Sequence, residues 1–261
     1  MTLTIQQAID TIISSVPGAP FPDTVDTVKA GDTSQELTGI VVTFLATCEV
    51  IEQAIRLGAN FIITHEPTFY NHRDETVWLR GHPLYAAKRQ LLEEKNLVIW
   101  RFHDYLHSLP PDSTLMGLIR ELQWEPHEAA ENPFICSIKP MTLREVGQWV
   151  KGQLGLQTVR IVGDLSSTCQ RIALLPGAPP SEWQMGSLLD ADALIAGEIN
   201  EWETSEYVRD ANQMGLKKGL IVIGHAASEE PGMRLIVLWL EERLPRIPIH
   251  FVPTGNPFQY L

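Results

Sequence analysis

Cysteine is scarce in this chain: three occur in 261 residues, at Cys48, Cys136 and Cys169, and no two form a CxxC pair. An odd, scattered set argues against a disulfide framework and a thiolate zinc site. It reads as reduced thiols, packed as small apolar side chains in a cytoplasmic protein. Long apolar runs are missing too, since no stretch approaches the roughly 18 residues of a membrane-crossing helix. The opening Met1-Thr-Leu-Thr-Ile-Gln-Gln has no basic group and no apolar core, so it does not read as a secretory leader. Basic side chains are outnumbered, 20 against 32 acidic, for a net charge of -12. Such a surface repels phosphate backbones and anionic lipid, which speaks against nucleic acid and membrane as partners. A small anionic substrate stays compatible, because a bound dication sets the field of its own pocket. There is no GxGxxG, P-loop or GxSxG, and His65-Glu-Pro-Thr-Phe is not HExxH. Internal repeats and low-complexity tracts are absent.

What remains is an ordinary globular composition, 44% hydrophobic and 20% charged, with room for one large domain or two modest ones. Thr4 and Gln7 have capping-box spacing before an apolar face of Ile5, Ile9, Ile12 and Ile13, which predicts a helix over 5–16. Prolines over 17–22 end it. Strands are expected at 39–46, 61–64 and 97–102, with helices at 49–57 and 84–95 between them. About 20 residues from strand to strand is enough for a right-handed crossover, so these strands should be parallel. Periodicity lapses around 124–133, where a domain boundary is expected. Beyond it, strands are predicted at 134–138, 159–162, 171–175, 193–196, 219–224 and 249–252, and helices at 142–154, 201–214 and 233–243. The alternation predicts a three-layer α/β/α protein with a mostly parallel sheet.

Three of these strands run straight into histidine: Ile63-Thr-His65-Glu66-Pro67, Trp100-Arg-Phe-His103-Asp104-Tyr-Leu-His107, and Ile223-Gly-His225-Ala-Ala-Ser-Glu229. Ligands of parallel α/β sheets bind beyond the carboxyl ends of the strands, where the loops converge. One such histidine is ordinarily structural; three together point to a metal site. Imidazole with carboxylate and no thiolate suits Zn, Fe, Mn or Ni and not a calcium cage.

The run Gly58-Ala-Asn-Phe-Ile-Ile-Thr-His65-Glu66-Pro67 resembles the strand-plus-His-His-Pro motif of the Nif-three-like metal-binding proteins, often named GTP cyclohydrolase 1 type 2 homologues. His103-Asp-Tyr-Leu-His107 stands where that family has His-Thr-Asn-Leu-Asp. Gly197-Glu198 resembles its Thr-Gly-Glu segment, and Gly224-His225-Ala-Ala-Ser-Glu229 its Gly-His-x-x-x-Glu signature. The resemblance runs from about residue 36 to the C-terminus. It implies a dinuclear site in a discontinuous metal-binding domain (1–128 and 217–261), a smaller inserted α/β domain (129–216), and assembly into ring-shaped hexamers. Two positions depart from the family pattern, with Glu66 in place of histidine and His107 in place of aspartate. The set His65, His107, His225, Glu66 and Glu229 nevertheless keeps three imidazoles and two carboxylates. Asp104 is the rival oxygen ligand to His107.

Two divalent metals lower the pKa of bound water and so support hydrolysis of a small molecule, with a guanine nucleotide as the substrate that the family name implies. Glu66 or Glu229 would bridge the ions. His103 is the candidate proton shuttle, or else orients His107 or Asp104. Glu198 and Glu201 follow a strand and are read as substrate-binding acids or as partners of a helix dipole. Trp183 and Trp239 are read as core packing. The alternative to an enzyme is a metal carrier or an interaction scaffold without turnover. An enzyme leaves one coordination position open to water, whereas a carrier closes it.

Overall fold

The capping box expected at Thr4 and Gln7 forms in the computed structural model, which describes residues 2–124 and 132–261. The hydroxyl of Thr4 accepts from the Gln7 amide and the Gln7 side chain accepts from the Thr4 amide. This starts α1 (Ile5–Ser14), whose Ile5, Ala8, Ile9 and Ile12 are buried. Then come β1 (Val28–Ala30), β2 (Ile40–Thr43), α2 (Cys48–Arg56), β3 (Phe61–Thr64), α3 (Pro83–Glu94), β4 (Val98–Arg101) and a single helical turn, α4 (Asp104–His107). The chain goes on through α5 (Ser113–Glu121), β5 (Ile135–Thr142), α6 (Leu143–Gln153), β6 (Arg160–Val162), β7 (Thr168–Leu175), α7 (Ser181–Ser187) and β8 (Ala193–Ala196). It ends with α8 (Glu206–Gln213), β9 (Gly219–Val222), α9 (His225–Arg243) and β10 (Ile249–Phe251).

Two compact units result, Met1–Ser113 with Met233–Gly255, and Thr114–Gly232 with Asn256–Leu261; the division falls inside α9. Most of the boundary region expected around 124–133 lies outside the described residues. The first unit carries the sheet β1-β4-β3-β2-β10, parallel except at the β1 edge. Every residue of β2, β3 and β4 is buried, as expected of central parallel strands covered on both faces. The second unit carries the sheet β5-β7-β8-β9-β6, parallel across β7, β8 and β9 and antiparallel at both edges. Its strand residues alternate between two cores: Ile172, Leu174, Ala193 and Ile195 face one, Ala173, Leu175, Leu194 and Ala196 the other. The fold class is α/β, with an antiparallel strand at one edge of the first sheet and at both edges of the second.

Several elements differ from expectation. The helix expected at 201–214 opens as a π-helical turn, Glu201–Ser205, before α8. α9 starts eight residues before the expected 233, because Pro231 is accommodated inside it. β1, α4, α5 and α7 are too short or too weakly periodic to be seen in sequence. Trp183 is 67% exposed, not core, whereas Trp239 packs near Phe102 with ring centroids 6.1 Å apart. Cys136 and Cys169 are buried, and burial pushes both thiols up to about 11; Cys48 is exposed at the start of α2.

Within the second unit, α5 and the start of α9 touch backbone to backbone. A Cβ added to Gly117 would sit 2.2 Å from the Gly232 nitrogen and 2.4 Å from the Pro231 carbonyl carbon, where no side chain can turn away. Gly152, near the end of α6, has open space at the same position. Gly117→Ala is expected to destabilise by about 1–3 kcal/mol. Gly152→Ala is expected to stabilise by about 0.5–1 kcal/mol. Chemical denaturation of the two variants beside the wild type checks both signs.

Candidate metal centre

β3 and β4 are parallel neighbours in register, Thr64 opposite Arg101, so the residues that follow them leave the sheet side by side. His65 and Glu66 leave β3, their amides bonded to the carbonyls of Thr43 and Phe44 at 3.1 and 2.8 Å. His103 and His107 come from the turn after β4. Spaced i, i+4 on α4, they project to one side, with ring centroids 4.8 Å apart. His65 completes the cluster, stacked on His103 at 4.7 Å and edge-on to His107 at 5.1 Å. One nitrogen from each of the three rings lies within 4.8 Å of the others, close enough to share an ion.

The hydrogen bonds of these rings decide which nitrogen is offered. Nδ1 of His65 meets the Phe102 carbonyl at 3.2 Å, Nδ1 of His103 meets Asp104 at 2.9 Å, and Nδ1 of His107 meets Asp112 at 2.9 Å. Each partner is an oxygen acceptor, so each Nδ1 carries the proton and each Nε2 keeps a lone pair. This is the arrangement in which an oxygen partner orients a metal-binding imidazole. The donor set therefore fits a borderline transition-metal dication such as zinc.

Glu66 stands beside this group, with Oε1 3.7 Å from His103 Nε2 and 4.0 Å from His65 Nε2. Its other oxygen lies 3.5 Å from the buried Arg101 guanidinium. Arg101 also donates from Nε to the His65 carbonyl at 3.1 Å and from a terminal nitrogen to the His72 carbonyl. Asp104, the rival oxygen ligand, is engaged on both oxygens: Oδ1 with His103, Oδ2 with the Thr24 hydroxyl at 2.8 Å and the Val25 amide at 3.0 Å. Burial works to raise its pKa, but the hydrogen bonds from His103, Val25 and Thr24 prevail and hold it at about 2.

The second unit places His225 and Glu229 one turn apart at the start of α9, His225 Nε2 3.1 Å from a Glu229 oxygen. Nδ1 of His225 is 3.2 Å from Glu198, whose carboxyl is held below the usual range, chiefly by that hydrogen bond. Here too an oxygen occupies the Nδ1 side of a histidine. Gly177 lies close under this pair: a Cβ there would come 2.3 Å from Glu229 Oε1 and 3.5 Å from His225 Nε2. Its φ of 74° adds a second reason for glycine at this position. Glu201 pairs with Arg160.

Sequence reading picked out His65, Glu66, His103, Asp104, His107, His225, Glu229 and Glu198. The structure gathers the first five in one unit and the last three in the other. The reading missed Arg101, Asp112, Thr24 and Asp26. Arg101 had a visible signal, a charge at the end of an otherwise apolar strand; the other three are ordinary loop acids and a threonine until the fold brings them in.

His103 is pushed down to about 3, first by burial, then by the neighbouring His65, with His107 and Arg101 adding to this and Asp104 opposing it. It is thus neutral at pH 7, as a metal ligand must be. The unfolded chain binds a proton at this histidine near 6.5 while the folded one does not, so the metal-free protein should lose stability as pH falls from about 6.5 towards 3. His103→Gln removes that titration and should flatten this part of the stability–pH curve. A slope equal to that of wild type would contradict the assignment.

A model of the family described as Duf34/NIF3 (NGG1p interacting factor 3) matches residues 25–257. A Clostridium perfringens protein named GTP cyclohydrolase 1 type 2 homolog is 26% identical over 246 residues, covering 90% of each chain. An Escherichia coli K12 protein of the same name is 24% identical over 258 residues, 97% of this chain and 98% of the other. The crystal structure of Staphylococcus aureus hypothetical protein SA1388 superposes with a TM-score of 0.79 at 19% identity, covering 100% of both chains. A Bacillus cereus protein related to NIF3 gives 0.76 at 15%, again over 100% of both.

Proposed function

The chain belongs to the Duf34/NIF3 family, and on that footing we propose that it is a metal-dependent hydrolase-like protein acting on a small molecule from the site built around His65, His103 and His107. The observation that carries this reading is the shared pattern of the three rings, with Nδ1 held by oxygen and Nε2 left to donate. His225 and Glu229 offer donors for a second ion, so the reading is of a dinuclear protein. The relatives' name points to a guanine nucleotide as substrate class. The same reading makes the protein a cytoplasmic homo-oligomer. No helix among the described residues is long and apolar enough to cross a membrane.

A bound transition-metal ion supplies Lewis-acid activation of water and of the bond to be cleaved. The protein's own residues do the rest. His65, His103 and His107 provide the imidazole donors, and His103, held at about 3, is neutral at pH 7. Glu66 presents Oε1 on the side of His103 and His65, where it accepts a proton from an incoming nucleophile. Arg101 holds the other oxygen and fixes the carboxylate's direction. Glu198 orients His225 from the Nδ1 side in the second unit.

Elemental analysis of protein purified without chelator should find about two transition-metal ions per chain, since five or more mixed donors exceed a single tetrahedral set. The as-isolated protein should then turn over one member of a panel containing GTP, a phosphodiester and an amide, and lose that activity on chelation and in Glu66→Gln. Metal binding without turnover of any of these would overturn the hydrolase reading in favour of a carrier or scaffold.

Positions 66 and 107 should be energetically coupled if they exchange ligand types. Glu66→His and His107→Asp each unbalance the donor set, while the double variant restores the family's pattern. The double should retain metal better than the two single losses would sum to, measured by chelator competition. Strict additivity would count against a shared site.

A further inference from the structure

The turn that carries His103 and His107 cannot stand alone. α4 is four residues long, Asp104–His107, far below the roughly 12 residues at which an isolated helix becomes even marginal in water. Asp104, Tyr105 and Leu106 are nevertheless buried or half-buried while His107 is exposed, and the two imidazoles must keep their spacing for Nε2 to converge. Something outside the turn has to supply the order.

The supply comes from residues 24–26, almost 80 positions earlier in the chain. Asp26 is 5% exposed and spends both carboxylate oxygens on the turn. Oδ1 accepts from the His103 amide at 2.8 Å and the Asp104 amide at 3.1 Å; Oδ2 accepts from the Tyr105 amide at 2.8 Å. Three consecutive backbone donors, unsatisfied by the helix itself, thus end on one side chain. Two residues away, Thr24 donates its hydroxyl to Asp104 Oδ2 at 2.8 Å, and the Val25 amide reaches the same oxygen at 3.0 Å. Asp104 Oδ1 in turn accepts from His103 Nδ1 at 2.9 Å. One segment therefore grips His103 twice, by its main chain through Asp26 and by its ring through Thr24 and Asp104. The Thr24 hydroxyl also accepts from the Asp26 amide at 3.0 Å, which ties the two grips together.

We propose that Thr24 and Asp26 are positioning residues of the metal centre, holding the His103–His107 turn in its binding geometry before any ion arrives. This rests on the metal-centre reading above. The segment's hydrogen bonds run to Asp104 and to the turn's amides, and it acts through these. Its contribution is therefore to affinity and coordination geometry, in the range of about 10–100-fold that outer partners of ligating histidines command.

The test is cobalt(II) binding to the full chain, with affinity from chelator competition and geometry from the visible d–d spectrum. Thr24→Val keeps the shape and removes the hydroxyl; Asp26→Asn removes one acceptor oxygen. Each should weaken cobalt about 10–100-fold and alter the spectrum. Thr24→Ser should restore both, and the metal-free melting temperature of Thr24→Val should stay near that of wild type. If Asp26→Asn does not fold, the Thr24 pair decides alone. Affinity within twofold of wild type in Thr24→Val with an unchanged spectrum overturns the proposal, as does a loss that Thr24→Ser fails to restore. A wild-type protein that takes up no cobalt overturns the metal-centre reading itself, a result distinct from either.

Discussion

A guanidinium buried at the end of a strand governs the first unit's site. Arg101 is fully buried, and a buried charge is tolerable only when its hydrogen-bonding capacity is met. It meets that need with the His65 carbonyl, the His72 carbonyl and the Glu66 carboxylate, which all belong to the chain leaving β3. The strand pair β3–β4 is thereby closed at its carboxyl end by polar contacts, at the place where the sheet's apolar packing runs out. Removing Arg101 would leave two carbonyls and a carboxylate to find other partners. Keeping it fixes the path on which His65 and Glu66 are displayed.

The same contact changes how the two departures from the family's motifs are understood. From sequence, Glu66 and His107 seem to compensate each other, an added carboxylate here for an added imidazole there. In the structure each has its own counterpart as well: Arg101 beside Glu66 at 3.5 Å, and Asp112 beside His107 at 2.9 Å. Each position thus has a polar partner of its own, an ion pair at Glu66 and a hydrogen bond to Asp112 at His107. Either exchange therefore sits in surroundings suited to it.

Much of the layered fold was legible because its determinants are local. Apolar β-branched runs such as Ile40–Thr43 and Phe61–Thr64 announce buried strands, and the Thr4–Gln7 and Thr142–Glu145 boxes announce helix starts. The strand-end histidines were legible for the same reason, since a polar residue following an apolar strand is visible without a fold. Short turns such as α4 escaped because their stability lies elsewhere in the chain. The start of α9 escaped because Pro231 looks like a boundary when only sequence is available. Trp183 was misjudged because an aromatic residue in sequence says nothing about which side of a helix faces solvent.

The grip of residues 24–26 on the turn after β4 also has a consequence for folding order. Its hydrogen bonds join residues 77 to 80 positions apart, and the loop they close contains β2, β3 and β4. Closing so long a loop is costly until the intervening sheet has formed and brought its ends together. A nascent or partly folded chain holds the same histidines but not their common geometry. On the proposal made above, capture of an ion by the three rings would be a late event that follows the assembly of β1 to β4.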